Sequence, residues 1–177
     1  KSKKIARENN IRTPDWIECK EDVDLNQAFY PCIVKPNAQG STFGLSYVNE
    51  AGSLEQAINH SLSFDSNVLI EEYIRGREIT VGVLSNEVLP IVEILPKHKL
   101  YDYECKYTPG MTNYKCPIEL DNGLKEKINI DTIKIFELLG CRGYGRVDYI
   151  IDNNNNHYFL ELNTLPGMTS TSLLPIA

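Results

Sequence analysis

The sequence has no apolar run that approaches the length of about 20 residues that a membrane-spanning helix requires. Its first ten residues, KSKKIARENN, are polar and therefore unlike a secretory signal peptide. Positive charge is also in deficit, with 18 Lys and Arg against 24 Asp and Glu and a formal net charge of −6. A chain of this sign does not attract nucleic acid or an anionic membrane broadly, so any anionic ligand must meet locally placed cations.

Two common nucleotide-binding signatures are missing. There is no G-x-x-x-x-G-K-[ST] sequence, which disfavours a P-loop fold. Gly143-Tyr144-Gly145 precedes a predicted strand instead of linking a strand to a helix, so it is not a dinucleotide fingerprint. The five cysteines are odd in number, scattered and without a C-x-x-C pair, which indicates reduced thiols in a cytoplasmic protein rather than disulfides or a zinc site.

The proportions of hydrophobic and charged residues are ordinary for a folded domain. Hydrophobic residues make up 42% and charged residues 24% of the 177 residues. A chain of this length can bury one sizeable core or two small adjoining cores. It starts on a basic helix and stops at Pro175-Ile176-Ala177, so we expect it to be a piece of a longer protein.

The first part of the chain alternates between helical and β-rich patterns. Ser53 with Gln56 three residues on has the pattern of a capping box, which predicts a helix that begins there. The segment 37–44 is small, polar and punctuated by glycine, which predicts a mobile loop between two strands. The predicted elements are a helix over 2–10, strands over 30–35, 45–48 and 68–71, and a helix over 53–62.

The second part predicts a sheet backed by one helix. Apolar residues recur at helical spacing from Asp121 to Leu139, and Gly140 supplies the left-handed stop. The stretch from Pro96 to Pro117 looks irregular, which is typical of a functional lid. The predicted strands cover 78–84, 88–95, 146–151 and 157–163.

The last predicted hairpin carries the most chemical information. If its four consecutive asparagines form the turn, Asp152 faces His157, and counting back places Asp148 opposite Glu161. Two facing carboxylates repel unless a cation lies between them, and Asn163 adds a neutral oxygen on the same face. Such hard oxygen ligands suit Mg²⁺. Arg146 shares this face as a fixed cation, while the alternative is a solvated sheet face with ordinary ion pairs.

The glycine-punctuated loop is a second candidate site. Glycine at positions 40 and 44 permits backbone amides to approach phosphate oxygens, and Lys35 before the loop can direct a charge toward the same phosphates. The alternative is a plain flexible hairpin. Lys106 and Tyr107 lie in the long irregular stretch. Lys106 can contact a phosphate there, and the Tyr107 hydroxyl can hold a lid closed. The alternative is that both side chains are simply solvated.

Three glutamates complete the candidates. Glu71 and Glu72 end a predicted strand whose edge amides and carbonyls can recognise an adenine, and Glu78 can accept hydrogen bonds from ribose hydroxyls. Ordinary surface acids at a strand end are the alternative.

Read together, these segments resemble the D-alanine–D-alanine ligase family from the first helix to the end of the chain. Four blocks carry the resemblance: 33–36 with 40–44, 70–72 with 76–78, 101–107, and 143–148 with 161–169. The last block, GYGRVD with ELNTLPGMT, is the most specific. Cys116-Pro117 and the tail at 170–175 fit the family as well.

The resemblance implies an α+β ATP-grasp fold with nucleotide held between two lobes, here 1–72, which carries the glycine-rich loop 36–44, and 73–177. It implies ATP and two Mg²⁺ (or Mn²⁺) as cofactors and assigns a role to each candidate. Phosphate lysines are Lys35 and Lys106; adenine and ribose contacts are Glu71, Glu72 and Glu78; metal ligands are Asp148, Glu161 and Asn163. Arg146 and the Gly167 amide stabilise the tetrahedral intermediate, Ser172 contacts the second D-alanine, and Ser41 and Tyr107 hold the lid closed.

The resemblance further implies a cytoplasmic enzyme of peptidoglycan precursor synthesis that joins two D-alanines through an acyl phosphate, with the full-length protein a homodimer. Family members also carry an N-terminal domain that holds the first D-alanine, so we expect this chain alone to be inactive. Thr42 stands where the family commonly has a second serine. The alternatives are a D-alanine–D-serine ligase, a D-alanine–D-lactate ligase and a non-catalytic ATP-binding module. Tyr107 favours D-alanine over D-lactate, because the family's D-lactate ligases replace this tyrosine.

Overall fold

The computed structural model describes residues 1–19, 27–40, 42–98, 105, 108, 110–170 and 172–177. The chain divides into two compact α+β units. The first, here called the four-stranded unit, comprises residues 14–74 and 96–111. The second, the six-stranded unit, comprises residues 1–13, 75–95 and 112–177.

In the described part of the chain, the four-stranded unit has an antiparallel sheet with a helix packed on one face. Its strands are β1 Trp16–Cys19, β2 Cys32–Pro36, β3 Ser46–Val48 and β4 Val68–Glu72, in the order β1-β4-β2-β3. Helix α2, Leu54–Leu62, covers one face through Leu54, Ala57 and Ile58. These side chains pack against alternate strand residues such as Val34 and Ile70, both fully buried. The opposite face carries Lys35 and Glu71.

The capping box predicted at Ser53 is wrong. Ser53 does precede α2, but its side chain makes no capping hydrogen bond to the helix. Instead, a short 3-10 turn occupies Ala51–Ser53, and the Ser53 hydroxyl donates to the Glu50 carbonyl at 3.2 Å. The Ser53 hydroxyl therefore stabilises the 3-10 turn and does not cap the helix.

The six-stranded unit contains the larger sheet. Its strands are β5 Gly76–Leu84, β6 Glu87–Val88, β7 Val92–Pro96, β8 Thr112–Lys115, β9 Tyr144–Asp152 and β10 His157–Asn163. The order is β10-β9-β5-β7-β8, with β6 also paired to β5. Strand β8 lies inside the stretch 96–117 that the sequence predicted as wholly irregular. Its segment TNYK is polar and only partly buried, so it lacks the apolar run by which strands are recognised.

The helices described in this unit are α1 Ser2–Glu8, α3 Asn122–Leu138 and α4 Leu173–Ile176. Asp121 caps α3, because its carboxylate accepts from the Gly123 and Leu124 amides at 2.9 and 3.1 Å. Gly140 follows the helix at φ +71°, as the predicted left-handed stop requires. Ile128 and Ile135 of α3 are buried in the core on one face of the larger sheet. The opposite face is left for the candidate site.

The two units differ from the predicted lobes, 1–72 and 73–177, at both ends of the first lobe. Residues 1–13 belong with the larger sheet because Ala6 and Ile11 are buried in its core, and the Phe159 amide donates to the Arg12 carbonyl at 2.8 Å. The described residues of 96–111 belong with the smaller sheet. Such long-range associations leave no local pattern in a sequence, which is why the linear boundary missed them.

Among the described residues, no helix combines the length and the apolar character that crossing a membrane demands.

Candidate active site

The candidate site on the larger sheet is built from two rows of residues that cross three neighbouring strands. In the first row, Thr80 of β5, Asp148 of β9 and Glu161 of β10 are direct partners. In the second, Gly82, Arg146 and Asn163 are direct partners. Paired residues of an antiparallel sheet project to the same face. The structure therefore brings the four predicted residues of this hairpin together on one face.

The pairing of Asp148 with Glu161 is confirmed, but the predicted turn is wrong by one residue. His157 pairs with Ile151 rather than with Asp152. Asp152 instead turns the chain: its carboxylate accepts from the Asn154 and Asn156 amides, each at 2.8 Å. A bulge between Phe159 and Glu161 then shifts the register back by one residue.

Asp148 is buried, and Arg146 on the same strand neutralises it. The guanidinium donates from Nε to Asp148 Oδ1 at 2.9 Å and from Nη2 to Oδ2 at 2.8 Å. Thr80 Oγ1 donates to Oδ1 at 2.5 Å. The prediction that Asp148 and Glu161 face each other as two uncompensated acids is therefore wrong for Asp148. Because a two-pronged ion pair already compensates Asp148, no additional cation is needed to explain its burial.

Glu161 differs from Asp148 in its surroundings. Its side chain is exposed, whereas Asn163 is half-buried beside Arg146. Among the described residues, no cluster of three or more His, Cys, Asp and Glu has the arrangement of a metal site. The predicted ligand set contains only two acids, since its third member is the amide Asn163.

The residues present nevertheless fit a divalent cation with oxygen ligands. A carboxylate offers about four lone pairs, and the hydrogen bonds to Asp148 occupy three of them. One lone pair of Asp148 Oδ2 remains, directly across the strands from the exposed carboxylate of Glu161. Mg²⁺ in proteins is typically bound by one or two carboxylates together with substrate phosphates and water.

The loop after β10 brings Gly167 and Ser172 together. A Cβ added at Gly167 would lie 2.7 Å from Ser172 Oγ, so the two residues are in close contact. Ser172 Oγ also accepts from the Thr169 amide at 3.1 Å and lies 2.7 Å from Thr169 Oγ1. The following helix α4 packs on the site face, because a Cβ at Gly82 would lie 2.5 Å from Leu174 Cδ1. These contacts hold the loop against β5.

On the smaller sheet, Lys35 and Glu71 form an ion pair. Lys35 Nζ lies 2.8 Å from Glu71 Oε2, and the two side chains are 23% and 4% exposed. They reach each other diagonally across β2 and β4, since Ile33 is the direct partner of Glu71 and Leu69 the direct partner of Lys35. The lysine ammonium is thus fixed to the sheet at the start of the glycine-punctuated loop.

The prediction that Glu71 and Glu72 end a strand is confirmed, but that strand has no free edge from which its amides and carbonyls could recognise an adenine. Strand β4 lies inside the sheet between β1 and β2, and the Glu72 amide donates to the Asp15 carbonyl at 2.8 Å. Adjacent strand residues point to opposite faces, so Glu71 is buried while Glu72 is exposed on the other side. Glu78 is half-buried on β5 of the six-stranded unit, two residues before Thr80 and on the same face.

Two described residues of the glycine-punctuated loop, Thr42 and Gly44, have left-handed backbone angles. Gly44 has φ +71°, and a Cβ there would lie 2.8 Å from Pro36 Cγ and 2.7 Å from Phe64 Cδ2. Thr42, the position where the family commonly has serine, has φ +60°, which is rare for a β-branched residue. The loop is fastened near its start, where the Ala38 amide donates to Asp65 Oδ2 at 2.7 Å. The predicted residues Ser41, Lys106 and Tyr107 lie outside the described residues.

Thr80 is the functional candidate that sequence reasoning missed. It is 1% exposed and its hydroxyl touches the predicted metal ligand Asp148. Its position gave no signal, because a threonine in an apolar strand is common and the pairing of β5 with β9 joins residues 68 positions apart.

Comparison with known proteins agrees with this geometry. A family model described as D-ala D-ala ligase C-terminus matches residues 5–177. The D-alanine–D-alanine ligase of Desulforamulus reducens is 41% identical over 99% of this chain and 61% of its own length. The structure of the D-alanine–D-alanine ligase from Bacillus anthracis has a TM-score of 0.86 at 39% identity, and the match covers 99% of this chain and 59% of that protein.

Two further solved structures are similar to this chain, and their names include a bound nucleotide or a pair of substrates. The Bacillus anthracis ligase complexed with ATP has a TM-score of 0.80 at 34% identity, over 99% of this chain and 55% of that chain. The VanG D-Ala:D-Ser ligase from Enterococcus faecalis has a TM-score of 0.82 at 30% identity, over 98% of this chain and 54% of that chain.

The chain thus spans between 54% and 61% of the length of these proteins. Its likeness to these structures confirms the predicted α+β ATP-grasp fold. Because the family model covers almost every residue, the conclusion concerns the chain as a whole: it belongs to the D-ala D-ala ligase C-terminus family.

Proposed function

We propose that this chain carries the nucleotide-binding and metal-binding part of an ATP-dependent ligase that joins two D-alanines for peptidoglycan precursor synthesis. The observation that carries the proposal is the pairing of Asp148 with Glu161 on one sheet face beside Arg146 and Asn163. Membership of the ligase family supports the same reading.

In this proposal, the larger sheet holds the metal ions. Asp148, Glu161 and Asn163 would bind two Mg²⁺ (or Mn²⁺), and the exposed carboxylate of Glu161 is accessible to a cation. Bound Mg²⁺ neutralises phosphate charge and orients the transferred group. Arg146 is kept in place by its two hydrogen bonds to Asp148, so its positive charge would be fixed beside charge that develops in the reaction.

The smaller sheet would contribute the nucleotide contacts. Lys35 is held by Glu71 at the start of the glycine-punctuated loop, which positions a point charge for an ATP phosphate. Glu71 and the backbone near Glu72 would contact the adenine, whereas the ribose contact, Glu78, belongs to β5 of the larger sheet. Lys106 would add a second phosphate contact, and Ser41 and Tyr107 would close the lid.

The proposed reaction has two steps and no covalent enzyme intermediate. The carboxylate of one D-alanine attacks the γ-phosphorus of ATP, which gives an acyl phosphate and ADP. The amine of the second D-alanine then attacks the acyl carbon, phosphate leaves and a proton is released. Gly167 and Arg146 would stabilise the tetrahedral intermediate, and Ser172 would contact the carboxylate of the second D-alanine. Positioning and charge neutralisation provide most of the rate in such reactions.

The second substrate is the finer part of the proposal. The likeness to the Bacillus anthracis D-alanine–D-alanine ligase, at 39% identity, favours D-alanine over the D-serine of the VanG ligase, at 30%. Reactions of the longer protein with D-alanine, D-serine and D-lactate as competing second substrates decide the matter. D-alanyl-D-alanine as the main product is expected, whereas D-alanyl-D-serine as the main product would replace this assignment.

A titration with ATP and Mg²⁺, run beside a phosphate-release assay with D-alanine, tests the function itself. ATP binding by this chain and D-alanine-dependent phosphate release by the longer protein are expected. Tight ATP binding without any phosphate release from either protein would favour a nucleotide-binding module without catalysis. No ATP binding at all would contradict both functions.

We also propose a cytoplasmic location and a dimeric assembly. The five cysteines are thiols, and burial raises the pKa of Cys32 to about 11, which suits a reducing cytoplasm. We propose that the longer protein is a homodimer. Light scattering during size-exclusion chromatography gives its mass, and a monomeric mass at assay concentrations would contradict the dimer.

A further inference from the structure

Thr80 is a fully buried polar residue on the site face, and neither the sequence analysis nor the proposed reaction gives it a role. It lies directly opposite Asp148 in the pairing of β5 with β9. A hydroxyl has one hydrogen to donate, and two acceptors are within reach: Asp148 Oδ1 at 2.5 Å and the Val147 carbonyl at 3.4 Å. The shorter contact is to a charged oxygen, which is the stronger acceptor.

This hydrogen bond determines which oxygen of Asp148 remains open. Oδ1 accepts from Thr80 and from Arg146 Nε, which fills both of its lone pairs. Oδ2 accepts only from Arg146 Nη2 among the hydrogen bonds of Asp148, so it keeps one lone pair. Without Thr80, both oxygens would have an open lone pair.

We propose that Thr80 is a positioning residue that makes Asp148 a one-oxygen ligand, binding a divalent cation through Oδ2 alone. The inference rests on the proposed metal-binding function of Asp148 and Glu161. One-oxygen ligation suits Mg²⁺, which demands octahedral geometry, whereas Ca²⁺ tolerates two-oxygen carboxylate ligation and more ligands. Thr80 therefore acts in two ways: it fixes the direction of Asp148 and it favours the smaller cation.

The test replaces the hydroxyl while keeping the shape of the side chain. Thr80→Val removes only the donor, and Thr80→Ser keeps it. Thr132→Val is the matched control, because Thr132 is equally buried and donates to the Ile128 carbonyl at 2.7 Å on helix α3, outside the site. Binding of Mn²⁺ in the presence of ATP is followed by the relaxation rate of water protons, which rises when Mn²⁺ attaches to the slowly tumbling protein. Displacement of Mn²⁺ by Mg²⁺ and by Ca²⁺ then gives their relative affinities.

Thr80→Val is expected to weaken Mn²⁺ binding by about tenfold to a hundredfold, the usual effect of losing a residue that orients a metal ligand. It is also expected to shift the preference from Mg²⁺ toward Ca²⁺. Thr80→Ser and Thr132→Val should behave as the native protein does. Thr132→Val also removes a buried hydrogen bond, so it shows what a general loss of stability does to metal binding. A shift in cation preference that occurs in Thr80→Val but not in Thr132→Val therefore indicates a positioning role.

Native Mn²⁺ affinity and native cation preference in Thr80→Val would overturn the inference. Glu161→Gln distinguishes this failure from failure of the proposed function: if Glu161→Gln binds Mn²⁺ as well as the native protein does, the metal site itself is wrong. If Thr80→Val does not fold, Thr80→Ser and Thr80→Ala provide the same comparison, since they differ only in the hydroxyl oxygen. Equal affinities and equal preferences in that pair would likewise overturn the inference.

Discussion

Asp148 and Glu161 face each other across β9 and β10 because β10 contains a bulge between Phe159 and Glu161. The pairs nearer the turn follow one register, with Tyr149 opposite Phe159, and the pairs beyond the bulge follow another. A continuous ladder would place Leu160, an apolar residue, opposite Asp148. Bulges near active sites redirect side chains in this way, and this one supplies the second carboxylate.

Glu161→Gln is expected to abolish turnover in the longer protein, because the substitution removes the exposed negative charge of the proposed metal site. Glu161 is exposed, so the fold should not depend on it. Phosphate release with ATP, D-alanine and Mg²⁺ measures the loss, and the thermal unfolding midpoint provides the control. Near-normal turnover with an unchanged midpoint would refute the metal assignment.

Arg146→Met is expected to destabilise the protein by about 3 kcal/mol, since it leaves the buried Asp148 carboxylate without its cationic partner. The double variant Arg146→Met with Asp148→Asn should recover most of this loss, because the uncompensated charge is gone. Urea unfolding of the two variants measures the difference. Equal stabilities of the single and double variants would show that Arg146 does not compensate Asp148.

Lys35→Met is expected to weaken ATP binding and to lower stability as well, because Lys35 is both the proposed phosphate contact and the ion-pair partner of Glu71. Adding Glu71→Gln removes the unpaired acid, and since Glu71 is itself a proposed adenine contact, the ATP affinity of the double variant is compared with that of Glu71→Gln alone. The double variant should regain stability in urea unfolding but not ATP affinity in calorimetric titration. Recovery of ATP affinity would indicate that Lys35 acts only within the ion pair.

Gly44→Ala is expected to destabilise the protein by at least about 1 kcal/mol, because a side chain at φ +71° is strained and its Cβ would contact the buried Pro36. Gly40→Ala is the matched control in the same loop, since a Cβ at Gly40 meets nothing within 4 Å. Urea unfolding of both variants tests the difference. Equal stability of the two would contradict the packing at Gly44.

The Arg77–Glu93 pair makes stability depend on pH. Hydrogen bonds from Arg77 lower the pKa of Glu93, against the opposing effect of burial. A lowered pKa in the folded state adds stability above the ordinary pKa of glutamate, and this stability is lost as the pH falls through and below that value.

Arg77→Met should therefore destabilise the protein at pH 7, and the difference from the native protein should shrink as the solution is acidified below about pH 4. The loss at pH 7 is expected to be about 1 to 2 kcal/mol, less than for a fully buried pair, because Arg77 is 43% exposed. Urea unfolding at both pH values measures it, and a difference that is constant with pH would contradict the assignment.

The sequence predicted the elements with strong local patterns and missed those that depend on distant partners. Helix α3 was predicted from its apolar spacing, and Gly140 correctly marked its end. The face shared by Asp148 and Glu161 was also predicted, although by two one-residue errors that cancel: the backbone of Asp152 bonds to Asn156 rather than facing His157, and the bulge restores the register. Neither the exact length of a turn nor a bulge is encoded by residue alternation alone.

Two other errors have the same physical origin. The sequence predicted a free edge on the strand of Glu71, because nothing local indicates that the short segment Trp16–Cys19 covers that edge. Thr80 was not predicted as a functional residue, because the partner of its hydroxyl lies on a strand far along the chain. Hydrogen bonds between distant strands decide both features, and a single sequence does not contain their pairing.

Strand β5 positions two parts of the proposed site: the acidic pair and the loop between Gly167 and Ser172. Thr80 bonds to Asp148, and two residues further on the same face Gly82 lets Leu174 of α4 sit against the backbone, next to the loop that joins Gly167 to Ser172. The spacing between the acidic pair and that loop is therefore set by three consecutive residues of one strand rather than by a hinge. A side chain at position 82 would lift the C-terminal helix and carry the loop away from the acids, while leaving the acids themselves undisturbed.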